Sequence, residues 1–301
     1  MDKHLKLYSG YDRLPEGLAE GPLLDGCLIL EGGGWRCLYT QGVLDAMLQA
    51  GIRMKAVVGV SAGAMSSLAY ASGQIGRSAR INLKYRHDPD YCGLGAFRRD
   101  HGVTGFLYFF DKILPEMGYD WNRIPEQMRL ISVVTNCETG QAEYLEYGKS
   151  DFEKAVAASA TVPYVSQPVD VGGIPCLDGG CAVRIPYQWA IDEGYDKIIV
   201  VRTRDRAYRK QEGTGAMLTK VRYNRYPELM RTLDGSAAHY NASIERLDRL
   251  EEQGRIFVQA PEQPVEVARF EGDMEKLGAL YWTGYREMAE RLDALADYLL
   301  G

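Results

Sequence analysis

"CLILEGGGWRCLYTQGVLDAMLQAG", residues 27–51, passes from a continuous apolar run through three glycines into a segment of helical period. The run Cys27–Leu30 has the length and side chains of a buried strand. After the glycines, Tyr39, Val43 and Met47 recur at four-residue spacing beside Leu44 and Leu48, and Gly51 offers a stop. Strand, glycine loop and helix in that order make an α/β unit. Three consecutive glycines are costly in regular structure, so Gly32, Gly33 and Gly34 mark a sharp turn or a place where another group comes close to the backbone.

The next unit repeats the pattern. "MKAVVGVS" (54–61) reads as a second strand and "AGAMSSLAYASG" (62–73) as a small-residue helix, continued by "GRSARINLKYRH" (76–87). Further on, "RLISVVTNC" and "QAEYLEYG" form a strand pair around "ETG", and "DFEKAVAASA" is a helix ending before Pro163. "YVSQPVDVGGIPCLDGG" supplies two short strands, "IPYQWAIDEG" a helix, and "DKIIVVRTR" a β-branched strand of the parallel type. Residues from about 214 to 254 read as polar and helical, and "RIFVQAP" as a last strand. This alternation predicts an α/β fold, a three-layer α/β/α sandwich with a mostly parallel central sheet. Tyr281, Tyr285, Met288, Leu292, Leu295 and Leu299 form one apolar stripe on a terminal helix. The domain expectation is a main unit over 1–261, with a small helical extension over 262–301 packed on it.

The chain has 301 residues, 46% hydrophobic and 25% charged, with a net charge of -6. That acidic balance argues against a nucleic-acid partner. No apolar run reaches the roughly 20 residues of a membrane span, and "MDKHLKLYSGYDRLPEG" has no secretion-signal core, so the cytoplasm is the expected compartment. Six cysteines without a CxxC pair read as ordinary reduced thiols.

"VVGVSAGAMS" (57–66) places Gly-x-Ser-x-Gly between strand and helix, the context of a nucleophile elbow centred on Ser61. A serine hydroxyl needs a base. Four histidines are present, His4, His87, His101 and His239. Chain order would nominate His239 for a triad, but it lies in a helical stretch rather than a late loop. The other candidate is Asp178, at the end of the short strand in "GGIPCLDGGCAVRIP". An aspartate with a pKa of about 3.9 is a poor base for an alcohol unless burial raises it. Gly32, Gly33 and Gly34 can then turn backbone N–H groups toward a substrate oxyanion. Arg36 could orient that loop or meet a phosphate. A dinucleotide site is disfavoured, since the loop lacks Gly-x-Gly-x-x-Gly and no acidic residue ends the second strand. The aromatic stretch "GFLYFFDKIL" (105–114) is a candidate acyl pocket or lid, with core packing as the alternative.

Together, "GGGWR", "GVSAG" and "DGG" resemble the patatin-like phospholipase family, with support from "VTNCETGQAEYL", "AASATVPYVSQPV" and "VVRTRDRAY". The resemblance is strongest with bacterial members that carry a C-terminal extension. It implies a Ser–Asp dyad of Ser61 and Asp178, an oxyanion loop at Gly32, Gly33 and Gly34, and Arg36 as its basic end. The implied activity is serine acyl-ester hydrolysis through an acyl-enzyme. The substrate would be a lipid or fatty-acyl ester, with peripheral membrane contact and no metal or organic cofactor. The alternatives are a non-catalytic lipid-binding protein retaining the fold, or an acyltransferase.

Overall fold

The computed structural model describes residues 6–212 and 221–301; His4 and part of the expected polar helical stretch lie outside them. Among the described residues the main sheet has eight strands, β1 (Leu24–Leu30), β2 (Met54–Val60), β3 (Arg129–Asn136), β4 (Ala142–Glu146), β5 (Val169–Val171), β6 (Ile174–Asp178), β7 (Ile198–Val201) and β8 (Phe257–Gln259). Their order is β8-β7-β1-β2-β3-β6-β5, with β4 also paired to β3. The pairs from β8 through β3 are parallel, and β4, β5 and β6 join antiparallel. The sheet is mostly parallel, as the alternation predicts.

Successive strand residues serve opposite faces. Leu28, Leu30 and Val57 join one buried cluster, while Cys27, Ile29, Val58 and Val60 join another. Helices α1 (Cys37–Gln49), α2 (Ala62–Ala71) and α3 (Arg77–Tyr85) follow β1 and β2. They pack with the first cluster. Beyond them come α4 (Leu94–Asp100), α5 (Phe152–Ser159), α6 (Tyr187–Asp192), α7 (Pro227–Asp234), α8 (Ser236–Glu252), α9 (Met274–Ala289) and α10 (Leu292–Leu300). Tyr187 and Ala190 of α6, with Tyr240, Ile244 and Leu247 of α8, fill the second cluster. The result is a three-layer α/β/α sandwich.

Helix α1 is buried on every side from Cys37 to Leu48. It lies between the sheet and α9, so its apolar surface exceeds one stripe. The contact with α9 is made where both helices lack a Cβ. A Cβ on Gly42 would stand 2.1 Å from the Tyr281 carbonyl oxygen, and one on Gly284 the same distance from that of Tyr39. A larger residue at either position would push the helices apart.

Two readings of the sequence need revision, and a third is narrowed to one of its alternatives. Residues 76–87 do not continue α2: a two-residue strand, Gln74–Ile75, and a left-handed Gly76 intervene before α3. The C-terminal stripe is broken between Ala289 and Leu292, so two helices share it, with Tyr281 and Met288 on one and Leu295 on the other fully buried. The aromatic stretch enters the core. Trp35, Tyr91, Phe109, Phe110, Trp121 and Tyr147 form a chain of ring contacts with centroids 5.0–6.4 Å apart. Such offset and edge contacts stabilise a core beyond simple area burial.

Candidate active site

Strand β1 pairs with β2 on one side and β7 on the other. At such a switch point the connections leave in opposite directions, and a crevice opens at the carboxyl ends of the strands. The glycine loop follows β1 and Ser61 follows β2, so both meet at this crevice.

Ser61 sits between β2 and α2 with φ 57° and ψ -128°. A positive φ is strained for a residue with a side chain, and the surroundings hold it there. The Ser61 amide donates to the Ser159 hydroxyl at 2.8 Å, and Ser159 in turn donates to the Val133 carbonyl oxygen. The flanking glycines permit the turn. A Cβ on Gly59 would meet the Ala64 Cα at 2.4 Å, and one on Gly63 the Leu30 carbonyl oxygen at 2.5 Å. Strand and helix therefore close on each other around Ser61.

The Ser61 hydroxyl donates to Asp178 Oδ2 at 2.7 Å. Asp178 Oδ1 accepts from the Gly180 amide at 2.8 Å, which fixes the carboxylate plane. Its backbone is held by the Thr161 carbonyl oxygen and the Thr135 hydroxyl. Both side chains are buried, with 8% exposure each. Burial pushes the Asp178 carboxyl above its ordinary range, against the pull of Arg269, the Ser61 and Gly180 hydrogen bonds and Arg184.

The glycine loop lies directly against the serine. A Cβ on Gly32 would be 2.7 Å from the Ser61 Cβ, and one on Gly33 would be 2.7 Å from the Thr203 Oγ1. Gly34 has φ 58°, in the left-handed region. Among the described residues, no acceptor takes the amides of Gly32, Gly33 or Gly34. The Ser61 amide is engaged by Ser159, so these loop amides, together with the Ala62 amide at the start of α2, are free backbone donors on the cavity wall beside the hydroxyl.

A cavity of about 690 Å³ opens over the pair. Gly32, Gly33, Gly34, Ser61 and Asp178 line it, together with apolar Trp35, Leu38, Met65, Tyr91 and Val162 and the cations Arg184, Lys210 and Arg269. Arg36 is elsewhere: it is buried, its Nε has no partner among the described residues, and it is not on the cavity wall. Burial lowers its pKa to about 10, with Arg204 and Arg269 adding to the effect. Of the expected acyl-pocket stretch 105–114, no residue lines this cavity; Phe109 and Leu114 line a smaller one of about 20 Å³ that shares Met65, Asn82 and Tyr91 with it. His239 is exposed on α8 and also stands off the cavity wall.

A family model for patatin-like phospholipases matches residues 28–191, more than half of the 301 residues. The chain belongs to the patatin-like phospholipase family. A second model, a domain of unknown function named DUF6363, matches residues 226–300. The protein is similar to Uncharacterized protein YjjU of Escherichia coli (strain K12), 25% identical over 182 residues that make up 58% of this chain and 51% of that one. It thus spans about half the length of that curated relative. The crystal structure of VipD from Legionella pneumophila aligns with a TM-score of 0.48 and 15% identity, covering 98% of this chain and 72% of that chain.

The glycine loop, Ser61 and Asp178 all fall inside the patatin-like match, whereas Lys210, Tyr240 and Arg269 lie beyond it. Sequence reasoning missed Glu31, Ser159, Thr203 and Arg269. Glu31 is 1% exposed and accepts from the Thr203 amide at 2.7 Å and the Tyr240 hydroxyl at 3.0 Å. Thr203 Oγ1 also donates to the Gly32 carbonyl oxygen at 3.0 Å, which pins the loop to the end of β7. The one signal for Glu31 was a charged residue at the end of an apolar strand, just before the glycines.

Proposed function

We propose that the protein is a serine acyl-ester hydrolase acting on phospholipid, lysophospholipid or a related fatty-acyl ester. The observation that carries this reading is the 2.7 Å hydrogen bond from the Ser61 hydroxyl to Asp178 at the floor of the cavity. Ser61 Oγ attacks the ester carbonyl carbon while its proton passes to Asp178. The oxyanion accepts hydrogen bonds from the amides of the 32–34 loop. Each such donor is worth about 2.7–4 kcal/mol in the transition state. Asp178 then returns the proton to the leaving alkoxide, and the alcohol departs from an acyl-enzyme. Water attacks that ester in the second half, giving its proton to Asp178, which passes it back to Ser61 as the fatty acid leaves.

Burial suits Asp178 to this role, because a carboxyl with a raised pKa is a stronger base. The strained turn at Ser61 serves as the nucleophile elbow. Arg36, held behind the loop, supports its shape rather than meeting substrate. Phe270, on the cavity rim and 47% exposed, supports a peripheral contact with a lipid surface. No described helix is long and apolar enough to cross a membrane. Six unpaired thiols support the cytoplasm as the working compartment. Residues 262–301, whose helix α9 packs on α1, act as an extension that steadies the site.

The test is labelling by a fluorophosphonate probe with mass readout, alongside p-nitrophenyl esters of graded chain length. The expected result is one adduct on Ser61, lost in Ser61→Ala and suppressed in Asp178→Asn. Full esterase activity in Ser61→Ala protein would refute the reading.

A further inference from the structure

Three cationic side chains share the wall of the Ser61 cavity, and they reach it from three separate segments. Arg269 lies along the glycine loop: a Cβ on Gly34 would stand 2.9 Å from its Cγ, and its carbonyl oxygen accepts from the Trp35 amide at 3.2 Å. Arg184 flanks the base, since a Cβ on Gly180 would stand 3.6 Å from its Cγ. Lys210 enters from the chain after β7, with its Nζ donating to the Ser236 hydroxyl at 2.6 Å. Among the described residues, none of the three is within ion-pair distance of a carboxylate, and Arg184 Nε is buried without a partner. The cavity's other carboxylates, Glu212 and Asp234, are exposed.

Like charges gathered in a partly desolvated cavity raise one another's energy. Lys210 registers this: burial, then Arg184 and Arg269, bring its pKa down to about 8. Asp178 feels both arginines and supplies at most one balancing charge. Arg184 also lies over the Tyr240 ring, 5.6 Å from its centroid, yet an anion entering the cavity would still be met by all three cations. Two guanidinium forks and an ammonium match the several acceptor oxygens of a phosphate better than a single carbonyl or hydroxyl. In a glycerol-based lipid the phosphate lies a few bonds from the acyl ester, so one cavity can hold both.

We propose that Arg184, Lys210 and Arg269 form a headgroup site that selects acyl esters bearing an anionic phosphate over neutral lipids with the same acyl chain. This rests on the acyl-ester hydrolase reading, and it assigns the phosphate to residues that include two outside the patatin-like match.

The experiment measures binding to full-length Ser61→Ala protein, which turns over no substrate, by calorimetry below the micelle concentration. The probes are a 1-acyl-glycerol 3-phosphate, the corresponding monoacylglycerol and inorganic phosphate. The phosphate lipid is expected to bind at least about tenfold more tightly than the neutral one, the scale of a charge-assisted contact. Adding Lys210→Met or Arg184→Gln should reduce that preference about tenfold, whereas Arg246→Gln, an equal charge change on the exposed side of α8, should leave it intact. Equal binding of the two lipids overturns the proposal without any cation variant having to fold. Inorganic phosphate binding as tightly as the phosphate lipid would make this a free-phosphate site and overturn the lipid assignment. A wild-type protein that cleaves no acyl ester would sink the hydrolase reading instead, and the binding ratio would still decide this one.

Discussion

The buried carboxylate of Glu31 accepts a hydrogen bond from the Tyr240 hydroxyl at 3.0 Å, joining the root of the glycine loop to α8. The other oxygen of Glu31 accepts from the Thr203 amide, and the single hydroxyl proton of Thr203 is shared between that oxygen at 3.2 Å and the Gly32 carbonyl oxygen at 3.0 Å. The loop that faces Ser61 is therefore fastened by Thr203, just past β7, and by a helix outside the patatin-like match. Tyr240→Phe would leave a fully buried carboxylate short of one donor, a loss of about 1–3 kcal/mol. The expected outcome is a Tm lower by several degrees together with a lower kcat, because the loop amides lose their fixed aim. A variant with wild-type Tm and wild-type kcat would show that this tether does not position the loop.

Asp178 gives a pH dependence with a definite sign. Its pKa is raised by burial, and in the proposed mechanism it must be deprotonated to accept the Ser61 proton. The acid limb of kcat/KM should lie above the ordinary aspartate range of about 4. Arg269 is the largest influence pulling that pKa down, so Arg269→Gln should move the limb to higher pH. Asp178→Asn should lower kcat by about 10²–10⁴-fold across the profile. A limb that stays in place when Arg269 is removed would mean that another group sets it.

Gly32 and Gly63 separate activity from stability. A methyl at Gly32 would press on the Ser61 Cβ at 2.7 Å, while one at Gly63 would meet the Leu30 carbonyl oxygen of the central strand at 2.5 Å. Gly32→Ala should cut kcat/KM by about 10²-fold, the scale of a misplaced reacting group, with a smaller Tm loss than Gly63→Ala, since its methyl also meets the Val60 carbonyl oxygen at the end of β2, at 2.9 Å. Gly63→Ala should lower both, because backbone of the core sheet must shift. The check is paired thermal unfolding and ester kinetics. Equal Tm losses in the two variants would count against this division.

Much of the fold was legible because strand, loop and helix each left a local period, as in residues 27–51. The two ends of the Ser61–Asp178 contact were legible because glycine punctuates both. Glu31, Ser159 and Thr203 were not, since each acts through a partner far along the chain and no local pattern sets it apart. Arg269 was hidden for the same reason: its place beside the glycine loop depends on the path of the chain after β8. The stretch 105–114 shows the limit of composition, because a run of aromatics suits an acyl pocket and a core equally well. The ring contacts from Trp35 to Tyr147 place Phe109 and Phe110 of this stretch in the core. The C-terminal stripe kept its spacing across a break that periodicity alone does not reveal.

Asp45 and Tyr281 supply a prediction about stability rather than catalysis. Asp45, on α1, accepts from the Tyr281 hydroxyl of α9 at 2.8 Å and from the Gly76 amide at 2.8 Å. Burial nevertheless raises its pKa to about 7 from an ordinary value of 3.8. An acid with a raised native pKa binds more protons folded than unfolded between those two values, so its contribution to stability falls as pH rises through that window. Wild-type protein should therefore lose stability from about pH 4 to pH 7 relative to Asp45→Asn, whose amide keeps an acceptor for one of the two donors and does not titrate. Urea midpoints measured at intervals across that range read the difference directly. If the two proteins gave parallel curves, Asp45 would have to be ionised throughout, and the junction of α1 with α9 would hold a buried charge instead of a protonated acid.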